Sequence, residues 1–291
     1  MAALSGAGSL YEVAAAAESE AVPAFSSGSP KRRRRFRWWR LAVLLLAGAY
    51  FLIPLYAGLK FSLQDVSGHF SFQAFKNLPS APGFTGALTL SLKLALVTVV
   101  ISTIMMVPTS VYVHLKLPKM RRVLDFVTVL PIVIPPIVII EGALGAYPLW
   151  LKSSPYLLSL LYVILAMPFV YRSLDAGLGA IDLKTLTEAS RSLGGSWLTT
   201  LWRVVLPNIR PALLSATVLT LALVFGEYTM ASLDLWTTVP VWIAQFGQSS
   251  DGNIQVAASM LGLIGTWILL VFVVSLDRSQ SRRSRKKWGA S

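Results

Sequence analysis

Three ionisable side chains lie in or beside long apolar runs of the sequence: Lys93, Glu141 and Glu227. A charge that faces lipid is costly, so each should face a partner or a water-filled passage. Lys93 could simply pair with Glu141 or Glu227. A functional hypothesis is that Glu227 belongs to an acidic and aromatic wall that attracts a cationic amine by charge and cation–π interaction. The other residues of this wall would be Tyr228, Asp234 and Trp236.

A polar segment between two apolar runs carries a spaced motif: Glu188-Ala189-Ser190, then Gly194, then Leu206-Pro207. Asp182 or Thr185 can cap a short helix in front of Gly194, because both side chains accept hydrogen bonds from backbone N–H groups. Glu188 would lie in the first turns of that helix, near the positive end of its dipole. These groups suit recognition of another protein better than covalent chemistry.

The second half of this segment predicts another short helix. Gly194-Gly195 favours a sharp turn, and Ser196 can cap a helix that starts at Trp197 and ends before Pro207. An apolar stripe is predicted along one face, made of Trp197, Leu201, Val204 and Val205. A helix–turn–helix of this kind lies on a membrane surface or docks into a groove of a partner.

Other kinds of chemistry lack the residues they need. Without cysteine, the chain has no disulfide, thiolate metal site or thiol nucleophile. Its two histidines are His69, in a predicted external loop, and His114, at a helix end on the other side of the membrane. No glycine-rich loop ends in Gly-Lys-Ser or Gly-Lys-Thr, as a phosphate-binding loop would. We expect no catalytic residue, metal site or bound cofactor in this chain, and any ATP and Mg would be bound by a partner.

The elements that hold these residues are predicted to be transmembrane helices. Hydrophobic residues make up 55% of the chain and the mean hydropathy is +0.64. Several apolar runs reach the length of about 20 residues that crosses a bilayer. Spans are predicted near Leu41–Gly58, Leu88–Leu115, Val123–Ala143, Tyr156–Leu174, Pro211–Tyr228 and Ile254–Leu276. The expected fold class is all-α, a polytopic membrane protein with six transmembrane helices.

The third predicted span contains three prolines: Pro131, Pro135 and Pro136. Each removes a backbone donor, so the helix should kink or break there. Broken helices at membrane depth commonly border a transport pathway, and a purely architectural kink is the alternative.

The net charge of +13 is concentrated in the stretches 31–40, 116–122, 172–210 and 278–287. This placement follows the positive-inside rule and argues for a membrane lipid environment, with no nucleic-acid partner. Both termini and the polar segment at 182–207 should face the cytoplasm. Residues 1–36 and 279–291 are predicted to be cytoplasmic tails, the first disordered, around a transmembrane domain at 37–278. Lys93, Glu141 and Glu227 then lie toward the external half.

The motif from Glu188 to Pro207 resembles the EAA loop in permease subunits of binding-protein-dependent type I ABC importers. The pattern of that family is Glu-Ala-Ala, three residues, Gly, nine residues, Ile, one residue and Leu-Pro. The spacing is kept here, with Ser190 in place of the second Ala and Val204 in place of Ile. The resemblance covers roughly Leu41 to Leu276.

The resemblance implies that the segment is a coupling helix that enters a cleft on a cytoplasmic ATPase. Glu188 would face polar or basic groups of the ATPase, and Ala189-Ser190 would keep the contact surface small. Gly194 would permit the tight turn between the two short helices. Leu206-Pro207 would begin the fifth span.

The resemblance also implies two ATPase subunits, a second homologous permease and an extracytoplasmic substrate-binding protein as partners, in a bacterial inner membrane. Phe225-Gly226-Glu227-Tyr228-Thr229 is similar to the spermidine and putrescine branch, so a polyamine or related small organic cation is the expected substrate. Importers of sulfate or ferric iron share much of the loop and form the alternative within the family. A secondary transporter or channel that uses Glu141 and Glu227 is the alternative outside it.

Overall fold

The computed structural model describes residues 38–64, 67–249, 252–268 and 271. The predicted tails at 1–36 and 279–291 lie outside these residues. The regular secondary structure of the described part is helical, apart from an isolated bridge between Gln64 and Phe70. The all-α fold class is therefore confirmed. The chain divides into two compact units, residues 1–51 and 52–291, and the first contributes only helical residues to the described part.

The helices follow one another along the chain with short connections. They are α1 (Trp38–Ser62), α2 (Gln73–Asn77), α3 (Phe84–Lys116), α4 (Arg121–Val133), α5 (Pro136–Ala146), α6 (Leu149–Lys152), α7 (Tyr156–Gly179), α8 (Leu183–Ser192), α9 (Trp197–Asn208), α10 (Arg210–Gly226), α11 (Thr229–Leu233), α12 (Val239–Ser249) and α13 (252–268). Helices α1, α3 and α7 are each long and apolar enough to cross a bilayer unbroken. Two bent pairs, one of which contains α10, supply up to two further spans in the described part. The sixth predicted span begins in α13, and its end near Leu276 lies outside the described residues.

The predicted proline break in the third span is present, and it lies between α4 and α5. The two halves meet at an angle of 93°. Ile134 and Pro135 have extended backbone, with ψ of 122° and 136°, and Pro136 occupies the first turn of α5, where a missing N–H costs little. Pro131 stays inside α4 and is buried. The helix breaks at the paired prolines, where two backbone donors are absent in succession.

Helix α7 is the centre of the second unit, because it packs against α3, α4 and α10. Its buried residues Tyr171, Leu174 and Leu178 lie in one apolar cluster with Val111 of α3. The contact with α10 is close, since a Cβ on Gly177 would clash with Cβ of Ala212. This packing fixes the end of α7, from which the polar segment at 182–207 departs.

Candidate functional site

The first helix of the polar segment, α8, is capped by Asp182. Its Oδ1 accepts a hydrogen bond from the Thr185 backbone N–H at 3.2 Å, and its Oδ2 accepts one from the Thr185 hydroxyl at 2.7 Å. The hydroxyl and backbone hydrogen bonds of Thr185 lower the pKa of Asp182 below its ordinary value. Of the two predicted caps, Asp182 is the one used, and the helix starts at Leu183.

A tight turn joins α8 to α9, and glycine is required in it. Gly194 has a φ of +79°, in the left-handed region. Its N–H donates to the Arg191 carbonyl at 2.9 Å, and the Gly195 N–H donates to the Ser190 carbonyl at 2.8 Å. These two bonds form a Schellman C-cap. A Cβ on Gly195 would lie 2.5 Å from Ser190 Oγ and 2.7 Å from its carbonyl oxygen.

The second helix, α9, buries part of the predicted apolar stripe, and Val204 of that stripe is only half-buried. Leu201 and Val205 are buried in the same cluster as the end of α7, and Trp197 packs against it. The turn Leu201–Val205 is π-helical. The sequence predicted an end before Pro207, but α9 continues to Asn208. Pro207 lies at the end of α9, two residues after the π-helical turn.

Two hydroxyl contacts hold the ends of the turn together. Ser190 Oγ lies 2.8 Å from Thr200 Oγ1, which joins α8 to α9. Ser196, the predicted cap of α9, accepts a hydrogen bond from the Thr199 N–H at 3.2 Å. Ser190, which replaces an alanine of the family pattern, therefore has a structural role in this chain.

Loss of the Ser196 cap should loosen α9 without unfolding the spans. The variant Ser196→Ala should cost about 1 kcal/mol, because the Thr199 N–H loses its acceptor. Hydrogen exchange of the amides in α9 should become about fivefold faster than in wild type, while amides in α7 keep their rates. Ser192→Ala is the matched control, since the Ser192 hydroxyl donates only to the Glu188 carbonyl of its own helix. Equal rates in both variants would contradict the capping role.

The face of the segment that points away from α7 is open to the surroundings. Glu188 has a side chain that is 65% exposed, 4.0 Å from Lys184. Three large apolar residues share this exposure: Leu193 (90%), Leu198 (63%) and Trp202 (64%). We name the surface formed by Glu188, Ala189, Leu193, Leu198 and Trp202 the loop surface. The sequence motif identified only Glu188 and Ala189 of this surface. Leu198 and Trp202 lie off the predicted apolar stripe and could have been identified from that position.

Glu227 has partners that the sequence did not reveal. Its Oε2 accepts hydrogen bonds from the Tyr162 hydroxyl at 3.0 Å and the Ala231 N–H at 3.3 Å, and its Oε1 accepts one from the Met230 N–H at 2.8 Å. The carboxylate caps α11 and ties it to α7. These three donors give Glu227 a structural role that needs no substrate.

The other predicted pathway residues are only partly brought together. Asp234 and Trp236 lie around α11, with their N–H groups bonded to the Met230 and Ala231 carbonyls. Burial raises the pKa of Asp234 to about 6. The remaining residues, Tyr228, Lys93 and Glu141, are exposed. In the described ranges, no carboxylate lies within 4.0 Å of the Lys93 ammonium, so the predicted ion pair with Glu141 or Glu227 is not formed.

A comparison with known protein families assigns this membrane protein to one of them. Residues 91–286 match the family described as the binding-protein-dependent transport system inner membrane component. The chain belongs to this family. It is therefore an inner membrane component of the binding-protein-dependent transport type, with the spaced loop motif inside the matched region.

Individual relatives agree with the family assignment. The permease is 31% identical over 161 residues to the ferric transport system permease protein FbpB of Actinobacillus pleuropneumoniae, an alignment that spans 52% of this chain but only 23% of that protein. It is 28% identical to a protein of Haloferax volcanii named "Probable molybdenum ABC transporter permease protein", over 87% of this chain and 98% of that one. A bacterial ABC transporter involved in alginate import has the same fold, with a TM-score of 0.59 at 19% identity over 83% of this chain and 96% of the other.

Proposed function

We propose that this permease forms half of the translocation pathway of an ATP-driven importer, and that the segment 182–207 couples it to an ATPase subunit. The loop surface supports this role. Its apolar residues are held outward by a capped, glycine-closed turn, while the opposite face of α9 is packed on α7. Exposed apolar groups beside a charged group, on a rigid element, are typical of a docking site on a protein partner.

The proposed assembly contains two ATPase subunits, which bind ATP and Mg, and a second homologous permease. The loop surface would lie on the cytoplasmic side with both termini, because the basic stretches flank it. The connections 61–86 and 231–252 would then face an extracytoplasmic substrate-binding protein. Phe70 and Phe72 are exposed in the first of these and pack edge to face, with ring centroids 5.1 Å apart. The chain itself would gate the pathway and catalyse no reaction.

For the substrate, we propose a small inorganic ion, the class named in the ferric and molybdenum relatives. The sequence alone predicted a polyamine, on the strength of the region around Glu227. The geometry weakens the physical basis of that prediction, because the Glu227 carboxylate already accepts three hydrogen bonds from the protein. Uptake assays with radioactive iron, molybdate and spermidine would separate the two classes, and uptake of spermidine alone would restore the original prediction.

Crosslinking tests the proposed coupling role directly, since the chain has no cysteine of its own. A single cysteine at Leu193 should crosslink to the ATPase subunit through a short bifunctional maleimide in membranes. A cysteine at Val127, an exposed residue of α4, is the matched control and should give no ATPase adduct. Transport without ATP, together with no adduct at Leu193, would instead favour a secondary transporter that uses Glu141 and Glu227.

A further inference from the structure

A charged junction joins three transmembrane elements close to the polar segment. Asp175 Oδ1, near the end of α7, accepts hydrogen bonds from Arg121 Nη2 at 2.8 Å and Arg121 Nε at 3.2 Å. The same oxygen lies 3.1 Å from Nε2 of His114 on α3. Tyr171 completes the contact, because its hydroxyl donates to the Arg121 carbonyl at 3.1 Å. We name these four residues the Asp175 junction.

The geometry assigns one proton of His114 and leaves its second ring nitrogen facing Asp175. Its Nδ1 is 2.8 Å from the Ser110 carbonyl oxygen, which can only accept, so Nδ1 carries a proton. Its Nε2 is buried without a hydrogen-bond partner among the described residues and lies 3.1 Å from the Asp175 carboxylate. A hydrogen bond there needs a second proton on the ring. In the neutral ring a lone pair would face the carboxylate, and a proton on Nε2 would replace that repulsion by an ion pair.

The junction is mechanically continuous with the polar segment. Asp175 lies between Leu174 and Leu178, which are both buried. The apolar cluster that contains these leucines also contains Leu183 of α8 and Leu201 of α9. Close-packed interiors transmit displacement, so the end of α7 should move with the two helices of the segment. The ion pairs of Asp175 then connect that movement to α3 and α4.

We propose that Asp175 is the positioning residue that transmits movement of the polar segment to α3 and α4, and that a protonated His114 is needed for this link. This inference rests on the proposed function, since an ATPase must move the segment. The groups that face His114 are Asp175 from α7 and Arg121 from α4, with the Ser110 carbonyl from its own helix. Loss of the proton removes one of the two cations on Asp175 and leaves it bound by Arg121 alone.

The test uses the importer purified with its partner subunits in lipid nanodiscs. A nitroxide is attached to a cysteine at Phe126 on α4 or, in a separate preparation, at Leu193 on the loop surface; both positions are exposed. Electron paramagnetic resonance spectra are recorded with and without MgATP and vanadate, and the response at each position is the change between the two spectra. In Asp175→Asn, the response at Phe126 should fall at least threefold and the response at Leu193 should be retained. Asp125→Asn is the matched control, because the Asp125–Arg172 pair is longer, at 3.8 Å, and exposed.

The proton requirement has its own readout, the ratio of the Phe126 response to the Leu193 response at each pH. This ratio should fall as the pH rises in wild type and stay constant in His114→Gln. In the charge-swapped double variant Arg121→Asp/Asp175→Arg, a neutral His114 would accept from the guanidinium. The pH dependence should therefore reverse, which a purely structural role does not predict. A wild-type ratio that does not change with pH would overturn the requirement for protonated His114.

The outcomes distinguish this inference from the proposed function. If Leu193 responds to nucleotide and Phe126 responds equally in wild type and Asp175→Asn, the junction does not transmit movement, and the coupling role of the segment stands. If Leu193 gives no response in wild type, the coupling role fails and the inference fails with it. If Asp175→Asn does not assemble with its partners, the charge-swapped variant Arg121→Asp/Asp175→Arg replaces it in the test. A response at Phe126 similar to that of wild type then supports the inference, and an assembled complex without this response overturns it.

Discussion

Replacing Gly195 by alanine should weaken the association of the permease with its ATPase about 5- to 150-fold. The added Cβ would lie 2.5 Å from Ser190 Oγ and 2.7 Å from the Ser190 carbonyl oxygen, so the turn must open. Forcing a methyl group into a closely packed site costs roughly 1–3 kcal/mol, and a docking surface displaced by this strain loses a comparable part of its binding energy. The measurement is recovery of the ATPase with the tagged permease across a dilution series in mild detergent.

Gly179→Ala provides the matched control for this prediction. Gly179 ends α7, only a few residues before the same segment, but a Cβ added there would meet no atom within 4 Å. The same chemical change should therefore leave ATPase recovery unaltered. Membrane insertion should be normal in both variants, because neither substitution changes the apolar spans. Equal recovery from the Gly195 and Gly179 variants would show that the turn does not shape the docking surface.

Local patterns in the sequence were enough to predict most of the polar segment. The N-caps at Asp182 and Ser196, the turn at Gly194 and the buried stripe on α9 all depend on residues within a few positions of one another. Such contacts are decided by hydrogen-bonding capacity and helical periodicity, which a sequence displays directly. The break in the third span was predicted for the same reason. Its position among the three prolines was not predicted, and the structure places it at Ile134, where the backbone is extended.

Contacts between distant residues could not be predicted in this way. Glu227 meets Tyr162, and His114 meets Asp175, only because α7 packs against α10 and α3. Apolar spans look alike in sequence on every face, so the pattern does not show which side of a span faces another helix. The pairing of Lys93 with an acidic residue failed for this reason. The charges of the side chains suggested Lys93 as a partner of Glu227, but helix packing places Tyr162 beside Glu227 instead.

The contrast between Glu227 and Glu141 leads to a matched test of stability. Glu227→Gln should destabilise the purified permease by roughly 1.5–3 kcal/mol, the range for hydrogen bonds to a charged group. Both Glu227 oxygens accept in the native structure, and an amide would place a donor against the Tyr162 hydroxyl or the backbone of α11. Glu141→Gln makes the same chemical change at an exposed site and should leave the Tm unchanged. Thermal unfolding followed by tryptophan fluorescence measures both.

Tyr162→Phe separates this structural role from a direct contact with substrate. If Glu227 acts mainly by binding Tyr162 and capping α11, the double variant Tyr162→Phe/Glu227→Gln should be less destabilised than the sum of the two single variants, because both remove the same hydrogen bond. Additive losses would mean that the two side chains act independently. A Glu227→Gln variant with wild-type Tm and impaired uptake would assign the carboxylate to the transported ion after all. The stability of this one variant thus decides between a helix cap and a lining residue of the pathway.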